Sequence, residues 1–361
     1  MMNKELLVEL TEARGVAGHE SPVRELFKEK TQDHVDDFVQ DGLGSLYGKL
    51  ASSTSSGPKI MAGAHFDEVG FMVKQITKEG FIKFVTVGGW WSQVVLAQEV
   101  EILASNGKVY HGITGSKPPH VLTAEARKQP MKMEDIFIDI GAQSKEEVEE
   151  WGIRPGDMIT PYIKTRRMNP DSPFLLGKAW DNRIGVAVAI ELIKHYHQQE
   201  HSNELYLGSN VQEEVGLRGA KTAANMIKPD IAFALDTGTA GDTPGMTPDE
   251  ADSELGKGPQ IIIYDASMIP HKGLRDFVIG LCEEHDIPYQ PTVIQGGGTD
   301  AGSFHQSNDG VPSLAITVPV RYLHSHTSVI HEDDYTNTIK LMKLIIDNLD
   351  ESAYERIINN G

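Results

Sequence analysis

Residues 70–162 break the pattern that governs the rest of the chain. In that stretch the apolar runs are short and β-type, among them Phe71-Met72-Val73, Phe81-Ile82-Lys83-Phe84-Val85, Glu99-Val100-Glu101-Ile102-Leu103 and Ile136-Phe137-Ile138-Asp139-Ile140, with Gly and Asn-Gly signals between them. Long helices are almost absent, one brief helix being expected at 144–151. Such spacing predicts a small β-rich, barrel-like unit. Outside it, strands and helices alternate. Strands are expected at 38–40, 45–50, 59–64, 204–211, 231–235, 261–264, 289–294 and 314–318, and helices at 181–197, 220–227, 273–285 and 334–349. Alternation of this kind predicts a mostly parallel sheet flanked by helices on both faces. The expected architecture is one α/β domain made of 1–69 plus 163–361, interrupted by a β-rich insertion at 70–162.

The N-terminal residues 1–15 space Leu6, Leu7, Leu10 and Ala13 along one helical face, which reads as an amphipathic first helix and not as a signal peptide. Ser21-Pro22 opens a second helix, with proline in its first turn. The stretch 51–58, rich in serine, is a polar turn, and 123–132, flanked by prolines, is expected to be a mobile loop. No segment approaches the roughly 18 consecutive apolar residues of a membrane helix. The single Cys282, spaced helically with Phe277, Val278 and Leu281, reads as core and excludes intramolecular disulfides and Cys-rich zinc sites. A reducing cytoplasm is the expected location. The net charge of −19 argues against a nucleic-acid or anionic-membrane surface, both of which need clustered Lys and Arg.

In open α/β sheets, sites gather outside the carboxyl ends of the strands. Here those ends carry His65 and Asp67, then Glu213 and Glu214, then Asp236, and near the last strand His324; Asp181, at a helix start, is placed to reach the same edge. Two adjacent acids at a buried strand end are costly unless each meets a cation, a proton or several donors. An imidazole and carboxylate set without cysteine suits zinc, cobalt or manganese. Two histidines and several carboxylates exceed what one tetrahedral ion needs, and match a pair of ions sharing one carboxylate. Successive side chains on extended backbone face opposite sides, so Glu213 and Glu214 divide the work, one ligating and one moving a proton. The same alternation puts His65 and Asp67 on one side, where Asp67 can orient the imidazole.

The motifs His65-Phe66-Asp67-Glu68-Val69-Gly70, Lys178-Ala179-Trp180-Asp181-Asn182-Arg183, Gln212-Glu213-Glu214-Val215-Gly216, Asp236 with Asp242-Thr243-Pro244-Gly245, Gly296-Gly297-Gly298-Thr299-Asp300-Ala301 and Arg321-Tyr322-Leu323-His324-Ser325 occur in one order along the chain. In this they resemble the tetrahedral and glutamyl aminopeptidase family of two-metal peptidases. The resemblance implies that His65 and Asp236 hold one divalent ion, that Glu214 and His324 hold the other, and that Asp181 bridges them. It implies Glu213 as general base and Asp67 as support for His65. It further implies peptide substrates, a dimerisation role for the insertion, and a homo-oligomer, a dodecamer built of dimers. The motif position favours His324 over His326 as ligand. Asp236-Thr237-Gly238 departs from relatives that carry a bulkier residue after the aspartate.

Each residue alone has a plainer reading. A lone His at a strand end is a satisfied polar group, Asp181 is a helix cap, and Glu213 or Glu214 pairs with Arg218 or Arg183. Convergence of several strand and helix ends on one ligand type weighs against that account. Neither a Gly-x-Ser-x-Gly elbow nor a His-Glu-x-x-His helix is present, and the glycine run lacks the Lys of a phosphate loop. Three rivals share part of the pattern: a two-metal deacylase or carboxypeptidase, a glycosidase (glucanase) using two carboxylates, and a peptide-binding protein without activity. The glycosidase reading leaves His65 and His324 idle.

Overall fold

The computed structural model of the chain describes residues 2–54 and 57–361. Met1, in the expected first helix, and Ser55 and Ser56, in the expected polar turn, lie outside the described residues. Helices α1 (Lys4–Glu12) and α2 (Ser21–Thr31) lead into strands β1 (Asp37–Gln40), β2 (Leu46–Leu50) and β3 (Lys59–His65). The side chain of Asn3 accepts from Leu6 N to cap α1, and Pro22 occupies the first turn of α2, where its missing N–H costs no hydrogen bond.

The chain then leaves the sheet for the barrel. Strands β4 (Gly70–Ile76), β5 (Ile82–Val87), β6 (Glu99–Leu103), β7 (Val109–Gly115), β8 (Phe137–Asp139) and β9 (Met158–Pro161) close in the order β4-β5-β8-β7-β6-β9. Closure removes the free edges that short strands would otherwise expose. Phe71, Val73, Ile82, Val100, Ile102, Ile138 and Ile159 alternate inward and fill it. Helix α3 (Lys145–Glu150), capped by the Ser144 side chain, is the one α-helix of this unit. The segment 123–132 is exposed and holds a short 3-10 turn.

Strands β10 (Arg166–Arg167) and β11 (Phe174–Gly177) return the chain, followed by α4 (Trp180–Tyr196), β12 (Glu204–Asn210), α5 (Arg218–Ile227), β13 (Ile231–Thr239), β14 (Gln260–Tyr264), α6 (Lys272–Glu284), β15 (Gln290–Val293), α7 (Asp300–Phe304), β16 (Ser313–Val320), β17 (Ser328–His331), α8 (Glu332–Asn348) and α9 (Glu351–Asn359). The main sheet runs β1-β2-β12-β3-β13-β16-β14-β15. Its centre, β12-β3-β13-β16, is parallel, as expected. The edges add antiparallel pairings at β1–β2, β2–β12 and β14–β16, so the whole sheet is mixed. Helices α1, α4, α6 and α8 cover one face of the sheet, while α5 and α7 pack on the other through Ala220, Ala223, Ala224, Ala301 and Phe304. Cys282 is buried in the larger cluster, and burial pushes its thiol up to about 12, which suits a core residue. No described helix is long and apolar enough to cross a membrane.

Two sequence expectations shift. The strand expected to end at Leu235 continues to Thr239, because Thr237, Gly238 and Thr239 pair with Val318, Pro319 and Val320. Asp236 therefore lies inside a strand and not after one. Asp181 is also no simple helix cap. It lies within α4 with non-helical backbone, while Ala179 takes the position before the helix at φ 52°. Helix α4 sits close to the sheet at Gly185, where a Cβ would fall 2.4 Å from the Leu235 carbonyl. Asn182 fixes the same junction, donating to that carbonyl at 2.8 Å.

A buried ion cluster joins α1, the end of β3 and the start of α4. Glu68 accepts from Lys178 Nζ at 2.6 and 2.7 Å and from Arg183 Nη2 at 3.2 Å. Arg183, fully buried, also donates to the carbonyls of Leu10, Ala13, Gly15 and Phe66. Replacing Glu68 by Gln keeps the shape but leaves two buried cations without a carboxylate. The unfolding free energy is expected to fall by about 3–5 kcal/mol, read from urea denaturation; an unmoved midpoint would show that the cluster does not hold this junction.

Candidate metal centre

His65 closes β3, Asp181 lies in the first turn of α4, Glu213 and Glu214 follow β12, Asp236 lies in β13, and His324 follows β16. All face one cavity of about 780 Å³ above the parallel strand ends. Asp181 stands between the two imidazoles, its Oδ1 3.2 Å from His65 Nε2 and its Oδ2 3.3 Å from His324 Nε2. His65 Nε2 also lies 3.6 Å from Asp236 Oδ1 and 3.9 Å from Glu213 Oε2, and His324 Nε2 lies 3.5 Å from Glu214 Oε2. The donor atoms that could hold an ion fall into two groups, His65 with Glu213 and Asp236, and Asp181 with Glu214 and His324.

Both imidazoles are oriented in the same manner. His65 Nδ1 donates to the carbonyl oxygen of Asp67 at 3.1 Å, and His324 is hydrogen-bonded to the backbone of Gly89. With Nδ1 engaged, Nε2 of His65 is the nitrogen aimed into the cavity, an acceptor whenever the ring is neutral. The Asp67 carboxylate is 3.5 Å from His65 Nδ1, and its two oxygens each accept a backbone N–H, from Glu213 and from Glu214, both at 3.0 Å. Asp67 thus supports the imidazole through its carbonyl more closely than through its side chain, and its carboxylate holds the glutamate turn. Sequence reasoning anticipated the first role and missed the second.

The electrostatics call for cations. Burial drives Glu213 well above the usual carboxylate range, with Asp236 and Asp300 adding to it against the opposing pull of His65. Burial, followed by Asp181, lifts Glu214 to about 8. For His324, burial is outweighed by Asp181 and Glu214, and it rises to about 9; His65 rises well above its ordinary value as Glu213, Asp181 and Asp236 overcome burial. Asp181 moves the other way, its own burial being offset by both imidazoles. Glu214 Oε1 is buried without a hydrogen-bond partner. Carboxylates packed this densely are costly unless cations neutralise them. The oxygen and nitrogen donors fit divalent ions of the zinc, cobalt or manganese kind.

Neither arginine considered as a partner for the glutamates takes that role. Arg183 serves Glu68, and Arg218 donates to Gln212 Oε1 at 3.1 Å. His326 is buried and belongs to neither ligand group; both its nitrogens lack partners, its ring packs near Phe71 and Trp90, and burial lowers it to about 4. Two contributors escaped the sequence reading. Asp300, buried behind the glutamates, accepts from Asn210 Nδ2 at 2.8 Å through one oxygen while its other oxygen has no partner, and burial raises it to about 8. Gly88 and Gly89, from the barrel loop after β5, press against the second group. A Cβ at Gly88 would fall 3.3 Å from Glu214 Oε2, and one at Gly89 would fall 3.0 Å from His324 Nδ1. Their only local signal was a pair of glycines after a strand.

Comparison with known proteins places these observations in a lineage. The profile described as M42 glutamyl aminopeptidase matches residues 44–341. A glutamyl aminopeptidase of Lactococcus lactis subsp. cremoris is 35% identical over 351 residues, covering 97% of each chain. The crystal structure of a TET aminopeptidase from a marine sediment archaeon of the Thaumarchaeota shares 43% identity, with a TM-score of 0.94 and 98% of both chains covered. A Pyrococcus horikoshii TET1 peptidase, described as assembling into a tetrahedron or a large octahedral shell, shares 33% identity at a TM-score of 0.86, over 96% of this chain and 99% of its own. The chain belongs to the M42 glutamyl aminopeptidase family and is a peptide-bond hydrolase of the aminopeptidase class.

Proposed function

We propose that the chain releases N-terminal residues from peptides at a centre of two divalent ions, zinc or cobalt, or else manganese. The observation that carries this reading is the position of Asp181, one oxygen against each imidazole, between a mostly buried group of donors and a half-buried one. His65 and Asp236 would hold one ion, Glu214 and His324 the other, and Asp181 would bridge them. Such a pair supplies Lewis-acid polarisation of the first peptide carbonyl and a water of lowered pKa.

The chain's own residues do the rest. Glu213 is left over from that ligand set and lies buried beside it, a carboxylate whose surroundings favour holding a proton. It takes a proton from the attacking water and passes it to the leaving amine. Asp67 keeps the Glu213 backbone and the His65 ring in register. The acid-lined cavity favours a free α-amino group, which is how internal peptide bonds are rejected.

We assign 1–69 plus 163–361 as the catalytic domain and 70–162 as an inserted dimerisation domain of a homo-oligomer, a dodecamer built of dimers. The closed barrel formed by β4–β9 supports the division. Trp91, 61% exposed on the barrel side, supports a subunit contact there, while its neighbour Trp90 packs on Phe71 at 4.6 Å. The mass in solution is expected to be a multiple of 39.7 kDa.

Three measurements test the reading. Hydrolysis of aminoacyl anilides, but not of N-blocked peptides, is expected to vanish with chelator and return with cobalt or zinc. Glu213→Gln is expected to lower kcat by about 10²–10⁴ with both ions retained by metal analysis, whereas Glu214→Gln should lose an ion; retained turnover in the first variant would remove Glu213 from the mechanism. Gly89→Ala, which crowds His324, is expected to weaken the second ion about tenfold or more, measured by calorimetric metal titration; unchanged affinity would show that the barrel loop does not set the imidazole.

A further inference from the structure

The cavity that holds the proposed centre extends well beyond it, and the charge of that extension is one-sided. Its walls are Leu217, Val293 and Ile294, a glycine run at Gly296 to Gly298, and a rim carrying Asp249 and Glu250. No Lys or Arg lines it among the described residues. Of the nearby arginines, Arg321 is ion-paired with Asp242 at 2.5 Å, while Arg218 donates to the neutral Gln212 side chain and does not line the cavity. If two divalent ions offset Asp181, Glu213, Glu214 and Asp236, the charge left among the lining residues is that of Asp249 and Glu250. Glu250 spends one oxygen on Thr247, accepting from its N at 2.8 Å and its Oγ1 at 2.9 Å, which fixes the carboxylate at the rim.

A substrate whose first peptide carbonyl lies at the proposed centre would send its N-terminal side chain into this extension. A carboxylate arriving there would lose water and find no cation, and would face two like charges. A Lys or Arg side chain meets the opposite case, laying its methylenes along Leu217, Val293 and Ile294 while its charged head reaches the rim. We propose that this pocket is a charge filter: it takes N-terminal residues with basic or neutral side chains and turns away acidic ones, Asp249 and Glu250 being its specificity-determining residues. The glutamyl preference in the family's description therefore does not extend to this chain. The inference rests on the aminopeptidase reading above.

The test is a panel of Lys-, Leu- and Glu-anilides with the metal-loaded full chain, with calorimetric binding of free lysine, leucine and glutamate as a readout independent of turnover. Lys is expected to exceed Glu in kcat/KM by about 10-fold or more, the order that two exposed, screened acids acting on a swing of two charge units support. Lysine is expected to bind more tightly than glutamate. The Asp249→Asn/Glu250→Gln double variant should cut the Lys-to-Glu ratio at least about fivefold, and added salt should shrink it as well. Glu-anilide cleaved within threefold of Lys-anilide would overturn the inference, and so would a double variant with an unchanged ratio. Failure to cleave any of the three would sink the aminopeptidase reading itself, while Leu-anilide cleavage without discrimination between Lys and Glu would sink only the filter.

Discussion

One buried aspartate sets the geometry on which the site depends. Asp67 uses both carboxylate oxygens on backbone N–H groups, one from Glu213 and one from Glu214, and uses its own carbonyl on the His65 ring. Hydrogen bonds to an ionised acceptor are about twice as strong as neutral ones. Because they engage backbone, they leave both glutamate side chains free to enter the cavity. The next residue, Glu68, faces the other way and gathers Lys178 and Arg183. Three residues at and just after the end of β3, His65, Asp67 and Glu68, thus serve two charge clusters, one facing the cavity and one tying the cavity's floor to α1 and α4.

The residues that meet at the cavity were legible where a short apolar run meets charge, a contrast visible within a few positions. The Glu213–Glu214 pair and His65 with Asp67 are of this kind. What the sequence concealed depends on partners distant along the chain. Thr237-Gly238-Thr239 has no strand-like alternation, and it is β16 alongside that keeps it extended. Strand β9 closes the barrel only because β4 and β6 lie on either side of it. The third small sheet, β10-β11-β17, and the last helix, capped by Asp350, likewise went unread. Asp300 looked like one more polar residue after a glycine run, and only packing shows that one of its oxygens is buried without a partner.

The barrel is more than an attachment. Trp90, on the loop after β5, donates to the Gly70 carbonyl at 3.0 Å and packs against Phe71 and His326. This fixes the loop to the barrel on one side and to the segment after β16 on the other. The two glycines just before it can then lie against Glu214 and His324 with no Cβ in the way. A neutral His326 suits this setting, since a charged imidazole between aromatic rings would be poorly solvated.

The two donor groups therefore differ in what holds them. His65, 1% exposed, is built wholly from the central strands and their helix, and its orientation comes from Asp67 two residues away. His324, 37% exposed, sits in a turn after β16 and takes its orientation from a loop of the inserted barrel. A rigid sheet fixes the first to within the tolerance of its own hydrogen bonds. The second depends on the contact between barrel and sheet, so any displacement of the barrel acts on His324 and Glu214 before it reaches His65. Two side chains link the groups: Asp181, 3.2 Å from one imidazole and 3.3 Å from the other, and Asp67, which accepts from Glu214 N and lies against the His65 ring.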